Sequence, residues 1–257
     1  MAESQIQNFN HLKIHSQFSI CEGAIKIDDL KEISKEKKIR SLALCDTSNL
    51  CGALEFAEKI SKVGTQPIIG TQINFKLDDT IGLLPLFALN EIGYKRIIEL
   101  SSLSYLNNDG TLDPHLNFEE LLKNNEGVAI FSGTINGLVG QLFNKGKFSE
   151  IEKLYSKLKQ KYGDKFYIEI QRHGDQNEIS FEKFNLSQSS NLEISIIATN
   201  EVFYSNKDMY EAHDALICIK NKTYVNEKNR IKYSNQHYLN CLLYTSDAAD
   251  EGLGVDL

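Results

Sequence analysis

The sequence predicts an α/β fold, a barrel of seven strands with helices crossing over between them. Two observations carry this expectation. Short apolar, β-rich runs alternate with amphipathic stretches of helical period, the pattern of a parallel sheet joined by crossover helices. The 257-residue length suits one such barrel, and a composition that is 41% apolar is enough to bury its core.

In chain order the candidate strands are 11–15, 42–45, 67–75, 83–89, 128–132, 166–171 and 194–199. Helices fit between or after them at about 27–38, 51–63, 94–106, 149–162, 179–190 and 207–219. The first strand, in HLKIHSQFS, alternates: Leu12 and Ile14 share one face, and His11, Lys13 and His15 share the other. Same-face neighbours sit ~7 Å apart, so His11 and His15 flank an ammonium, which is a poor neighbour for a metal cation. Asn117 with Glu120, and Ser149 with Glu152, have the spacing of capping boxes, and Gly163 stops the helix that Ser149 opens. NNDGTLDPH (107–115) reads as an exposed loop, and no repeat or low-complexity linker divides the chain.

Composition excludes several classes. No apolar run is long enough to span a bilayer and no basic-plus-apolar leader opens the chain, so a cytoplasmic, membrane-free protein is expected. Cys21, Cys45, Cys51, Cys218 and Cys241 lack paired metal-ligand spacing and read as reduced thiols. A net charge of −7 argues against a phosphate-binding surface over the whole domain. The last seventeen residues, CLLYTSDAADEGLGVDL, contain no Lys, Asn or Ile, although all three are abundant before them. This stretch, 241–257, resembles a translated sequencing adapter and is set aside from fold reasoning. Without its four acids the chain has 31 acids against 28 bases, and the native protein is expected to continue beyond Asn240 as residues 1–240 of a longer chain.

In such barrels the active site forms where strands end and the following loops begin. Those positions are polar here: His15, Asp46, Gln72, Ser132 to Thr134, Gln171 to His173, and Asn200 with Glu201. Their shared placement points to one common pocket. His213 lies among Leu216, Ile217 and Ile219 and reads as a structural hydrogen-bonding group, while His115 and His237 carry no pattern. The aromatic residues read as packing groups, and KEISKEKK mixes both signs like a solvated helix face. No Gly-rich phosphate loop, nucleophile elbow or His-Glu-x-x-His motif is present.

Seven motifs in order, HLKIHSQFSICEGA, LALCDTSNLCGALEF, PIIGTQINF, IFSGTINGLVG, FYIEIQRHG, ATNEVFY and EAHDALICI, closely resemble the N-terminal polymerase and histidinol phosphatase (PHP) domain of bacterial DNA polymerase III alpha subunits. The resemblance spans roughly residues 9 to 240. It implies a distorted seven-stranded, TIM-like (β/α)7 barrel and, in members with an intact site, a cluster of His, Asp, Glu and Cys holding up to three divalent ions.

Matched position by position, the sequence keeps His15, Asp46 and His173, and has Glu22 and Glu201 where the family usually shows Asp. It departs at Lys13 and Thr47, where histidines are usual, at Gln72 for glutamate, at Thr134 for cysteine and at Phe203 for histidine. A trinuclear site has to neutralise ~+6 of charge with donors at about 2.0–2.2 Å, and amide, hydroxyl and phenyl groups supply little of this. The expectation is a barrel that has lost its metals, with Lys13 paired to Asp46, Glu22 or Glu201 in place of a cation. The alternative is a single-metal site of His15, His173 and Asp46.

By resemblance, the parent enzyme carries out template-directed DNA synthesis with Mg2+ held by palm-domain aspartates beyond this fragment. The fragment itself is expected to bind no cofactor. Implied partners are the remainder of the alpha chain and the proofreading exonuclease subunit, with the sliding clamp and primer-template DNA engaged through the parent. Two rival readings remain: a metal-dependent phosphoesterase or 3′–5′ exonuclease using the same pocket, and a stand-alone PHP protein acting on a small phosphate ester.

Overall fold

The computed structural model describes residues 9–106, 110–174 and 176–239. The expected read-through tail, 241–257, and residues 107–109 of the polar loop lie outside the described residues. The elements run β1 (Lys13–Ile14), α1 (Ile27–Glu36), β2 (Ser41–Thr47), α2 (Ala53–Ser61), β3 (Gln66–Leu77), β4 (Thr80–Ala88), α3 (Glu91–Leu106), β5 (Leu116–Asn117), α4 (Phe118–Leu121) and β6 (Val128–Phe131). They continue with α5 (Leu138–Asn144), α6 (Phe148–Tyr162), β7 (Phe166–Ile170), α7 (Gln176–Leu192), β8 (Ile196–Ala198), β9 (Glu201–Val202) and α8 (Tyr210–Asn221).

The strands form one nine-stranded sheet in the order β8-β7-β6-β4-β3-β2-β1-β9, with β5 paired to β3. The two end strands, β8 and β9, are consecutive in sequence and joined through Thr199 and Asn200. One covalent run therefore pairs with β7 in its first half and with β1 in its second, which curls the sheet into the expected distorted TIM-like barrel. β1, β2, β3, β4, β6, β7 and β8 correspond to the seven sequence-predicted runs, while β5 and β9 are two-residue additions. An all-parallel sheet is not what forms. β3 and β4 pair antiparallel, and β4 also runs antiparallel to β6. Only Asp78 and Asp79 separate the paired residues Leu77 and Thr80, and a two-residue connection makes a hairpin rather than a crossover. Asp78 takes the left-handed conformation of that turn, with φ 50°.

Strand alternation sorts the side chains into layers. Ile14, Leu42, Leu44 and Val202 face outward and pack with Ile27, Leu30, Phe56 and Ile60 of α1 and α2. Val128, Ile130, Phe166 and Ile168 do the same against Ile151, Leu154, Tyr155 and Leu158 of α6. The inward set is smaller and flatter: Ala43, Cys45, Phe87, Ala129 and Phe131 form an apolar plug inside the ring. Lys13, Glu169 and Glu201 occupy the inward phase of β1, β7 and β9, with His15 just past β1, so buried polar groups share the interior with that plug.

Neither capping box forms. Asn117 precedes α4 without a side-chain cap, and α6 begins at Phe148 with Lys147 at the cap position, which places Ser149 inside the first turn. The glutamates that would reach back have tertiary partners instead. Glu120 pairs with Arg96 at 3.5 Å and with Lys123, and Glu152 accepts from Gln188 Nε2 at 3.2 Å. The stop at Gly163 is as read: φ 59° and ψ −126° is backbone that side-chain-bearing residues avoid. Among the described residues no helix is long and apolar enough to cross a membrane, and Cys21, Cys45, Cys51 and Cys218 are free thiols.

The N-terminus of α3 lies on the backbone of Gly127. Asn90 Oδ1 accepts from Gly93 N–H at 2.9 Å, and a Cβ on Gly93 would stand 1.8 Å from Gly127 O. Gly93→Ala is therefore expected to cost about 1–3 kcal/mol in urea unfolding, although alanine is the better helix former. An unchanged or raised midpoint would show that α3 does not need this close approach.

Candidate functional site

The site grows from the seam where the covalent run leaves β8 for β9. Lys13 and Glu201 are direct partners in the parallel β1–β9 ladder, so their side chains project side by side into the barrel. Lys13 Nζ lies 3.1 Å from Glu201 Oε1 and 3.4 Å from Glu169 Oε1 of β7, with the side chains of Lys13 and Glu169 wholly buried. Glu201 Oε1 also faces His15 Nε2 at 3.2 Å and Gln72 Nε2 at 3.4 Å. The Gln72 amide reaches on to Thr47 Oγ1 at 3.3 Å. Phe203 stacks on the His15 ring with centroids 4.7 Å apart. Lys13, His15, Gln72, Glu201 and Phe203 are thus brought together, with Thr47 at the margin.

The other sequence-predicted residues are engaged elsewhere. Asp46 accepts from Ser16 N–H and Ser19 Oγ at 2.7 Å each and from Ser16 Oγ at 2.8 Å, so its carboxylate pins the loop after β1. Glu22 accepts from Thr47 Oγ1 at 2.6 Å and pairs with Lys220, and its carbonyl lies 2.8 Å from His213 Nε2. Of the three proposed partners of Lys13, only Glu201 pairs with it, because Asp46 and Glu22 are taken by these loop contacts. Thr134 Oγ1 accepts from Asn136 N–H at 3.2 Å, within its own loop. His173 Nε2 accepts the Glu201 backbone N–H at 3.2 Å, which makes Nδ1 the donor to Glu178 Oε1 at 2.9 Å. Among the described residues, no three His, Cys, Asp or Glu groups converge as a metal-binding set.

Sequence reasoning missed Glu169, Glu178 and His237. Glu169 was visible as the one charged residue in the run FYIEI, on the inward phase of its strand. It accepts from Gln171 Nε2 at 2.9 Å and from Thr199 Oγ1, which ties it to the seam residue between β8 and β9. His237 had no local signal. It reaches the site because the chain returns after α8: Phe203 N–H donates to His237 O at 2.9 Å, Leu239 N–H to Tyr204 O at 3.1 Å, and Asn200 Nδ2 to Tyr238 O at 3.0 Å. Its ring stacks on His173 at 3.9 Å and 9°, and its Nδ1–H donates to Glu201 O at 3.0 Å.

Burial opposes charge on Lys13, but Glu169 and Glu201 outweigh it and hold the ammonium above the ordinary lysine range. Burial likewise opposes the Glu201 carboxylate, and Lys13 with the His15 hydrogen bond overcomes it, leaving Glu201 well below its usual 4.5. Burial, with His173 adding to it, pushes His237 down to about 3, so its ring is neutral.

Glu201 stabilises the fold above its ordinary pKa, and that contribution is lost as pH falls through its depressed folded value. Lys13→Met strands two buried carboxylates and is expected to cost about 3–5 kcal/mol in denaturant unfolding at neutral pH. The cost should shrink towards pH ~4, where the carboxyls can take up protons, and Glu201→Gln added to Lys13→Met should recover part of it. An equal loss at all pH values would rule out this charge balance. Acidification of the wild type is expected to begin destabilising near 6.5, where an unfolded His237 gains the proton that the folded ring refuses until about 3. His237→Phe should flatten that upper part of the pH–stability curve.

Comparison with known proteins shows the family. The PHP domain family model matches residues 11–173. The DNA polymerase III subunit alpha of Caulobacter vibrioides is 32% identical over 251 residues, which cover 93% of this chain and 22% of that protein. That of Rickettsia felis is 37% identical over 212 residues, 82% of this chain and 18% of that protein. The chain thus spans about a fifth of the length of these relatives. Among solved structures, an amidohydrolase from Chromobacterium violaceum aligns over 80% of this chain and 96% of its own, with a TM-score of 0.49 and 11% identity, a likeness too distant to carry any argument. On the family match, over more than half of its length, the chain belongs to the PHP domain family, and it shares that domain with the alpha subunits of DNA polymerase III.

Proposed function

We propose that residues 1–240 are the N-terminal PHP domain of a DNA polymerase III alpha subunit, followed by a non-native tail at 241–257, and that this barrel is a structural and docking module rather than a metal enzyme. The observation that supports the metal-free reading best is Lys13, whose buried ammonium stands 3.1 Å from Glu201 Oε1. A divalent ion at that carboxylate would share a dry cavity with a fixed positive charge. The donor chemistry agrees. Thr47, Gln72, Thr134 and Phe203 offer hydroxyl, amide and phenyl groups, which suit a multi-metal centre poorly. The His173 Nε2 lone pair is engaged by the Glu201 N–H, and Asp46 is saturated by Ser16 and Ser19.

In this reading the parent subunit extends DNA with Mg2+ held on other domains, and the barrel contributes a rigid platform. Its partners are the remainder of the alpha chain and the proofreading exonuclease subunit in the cytoplasm, with the sliding clamp and primer-template DNA engaged through the whole enzyme. The rival phosphoesterase or 3′–5′ exonuclease reading is favoured by the retention of His15, Asp46 and His173 in one barrel.

Metal analysis separates the two. The chain loaded with Zn2+ or Mn2+ and then desalted is expected to retain well under one equivalent and to release no nucleotide from a 3′ end. Stoichiometric retention, with a nuclease activity abolished by His15→Ala, would establish the rival. Reading the source DNA past codon 240 is expected to continue in frame into a long polymerase region, and an early stop codon would return the domain to the stand-alone class.

A further inference from the structure

One stretch of surface away from the barrel interior combines a local excess of bases with several exposed apolar side chains. Residues 219–233, the end of α8 and the strap that follows, read IKNKTYVNEKNRIKY, with five bases and one acid in a chain that totals 28 bases and 35 acids. The strap is anchored. Arg230 donates through both terminal nitrogens to the Asp214 carboxylate at 2.6 and 2.7 Å, and Tyr210 Oη donates to Tyr233 O at 3.1 Å. Lys220 pairs with Glu22, and Glu227 accepts the Tyr224 N–H at 2.9 Å. Lys222, Lys228 and Lys232 remain exposed and form no ion pair among the described residues, although Lys232 lies 5.9 Å from the Tyr210 ring centroid. Between these charges stand Ile219, Tyr224, Val225 and Ile231, with 69%, 75%, 57% and 58% of their surface exposed. An open groove of about 580 Å³ runs beside Thr223, Lys228 and Ile231.

We propose that this strap is the docking surface for an acidic amphipathic segment of a partner protein, whose carboxylates meet Lys222, Lys228 and Lys232 while its apolar side chains cover Ile219, Val225 and Ile231. Charge complementarity selects the acidic partner. Several large apolar groups exposed within so short a stretch mark a surface made to be covered by protein. Nucleic acid fits less well. Single-strand binders rely on stacked aromatic rings and free arginines, whereas one ring is exposed here and the one arginine is locked on Asp214. The surface uses none of the inward-facing barrel residues, so its failure and the failure of the proposed function are separable.

The test titrates the full chain into a short fluorescein-labelled peptide in which glutamates alternate with leucine and phenylalanine. The expected result is saturable binding, weakened by added salt and weakened ~10-fold or more by Lys222→Glu with Lys228→Glu and Lys232→Glu. Val225→Ser with Ile231→Ser should weaken binding comparably while leaving the thermal midpoint unchanged, and a peptide with lysine in place of glutamate should not bind. Absence of binding by the wild type, salt-insensitive binding, or equal binding by the charge-reversed variant overturns the proposal. So does tighter binding of a labelled oligothymidylate or of anionic lipid vesicles than of the acidic peptide.

Discussion

The ammonium of Lys13 is held between two carboxylates from different parts of the ring, and it links the strands on either side of the barrel's closing seam. Lys13 belongs to β1, Glu201 to β9 and Glu169 to β7, so the ion pair bridges the seam where the covalent run passes from one neighbour to the other. Backbone ladders are short there. β8 pairs with β7 through Ile196 to Ala198, and β9 pairs with β1 through only Lys13–Glu201 and Ile14–Val202. Side chains add to these short ladders: Thr199 from the seam and Gln171 from the end of β7 brace Glu169, and His15 after β1 and Gln72 of β3 brace Glu201. Charges placed in a dry cavity are worth having only when every partner is in position. That condition makes the register of β1, β7 and β9 interdependent.

A metal ion would tie the same strands with a different set of donors, and the contrast accounts for the neutral groups in this pocket. A cluster of divalent ions requires many anionic donors, whereas a single ammonium carries one charge and three hydrogen atoms. With Lys13 in place, further acids facing it would be left uncompensated in low dielectric. Gln72, Thr47 and Thr134 are neutral at such positions, and Asp46 and Glu22 are satisfied by hydroxyls, backbone and a surface lysine. Phe203, which has no metal-donor atom, packs on the His15 ring and joins it to the aromatic group of His213, Tyr233 and His237. The proposed loss of metals is thus a coordinated change of charge, hydrogen bonding and packing.

The layered plan was legible because side chains alternate along a strand whatever the tertiary context. Ile14 and Lys13 report opposite faces in the sequence, and they occupy opposite faces in the barrel. The direction of β4 was less legible, since it follows from a two-residue turn inside an apolar stretch. The capping boxes failed for a different reason. Spacing states what Glu120 and Glu152 could reach locally, but Arg96 and Gln188 arrive from other helices. Of the candidate site, Lys13, His15 and Glu201 were legible from one motif pair. Glu169 was overlooked in an apolar run where a charge should have prompted attention, and His237 was beyond local reasoning, because its place is set by the return of the chain after α8.

That return gives the strap two faces with different obligations. Inward, His237, Tyr233 and Leu239 are consumed by the fold: they stack on His173 and Phe203, pack into the outer core beside β9, and take the backbone bonds that an exposed edge of β9 would otherwise offer to another chain. Outward, among the described residues, Ile219, Val225 and Ile231 lie in none of the buried apolar clusters, and Lys222 and Lys228 are exposed and form no ion pair. A segment under folding constraint alone would be expected to expose polar side chains at such positions, since exposed aliphatic groups invite association. Arg230 and Tyr210 anchor this outward face to α8, and a surface tied down before binding pays less ordering cost when a partner binds. One length of backbone thus carries residues that complete the fold on its inner side and residues that present charge and apolar surface on its outer side.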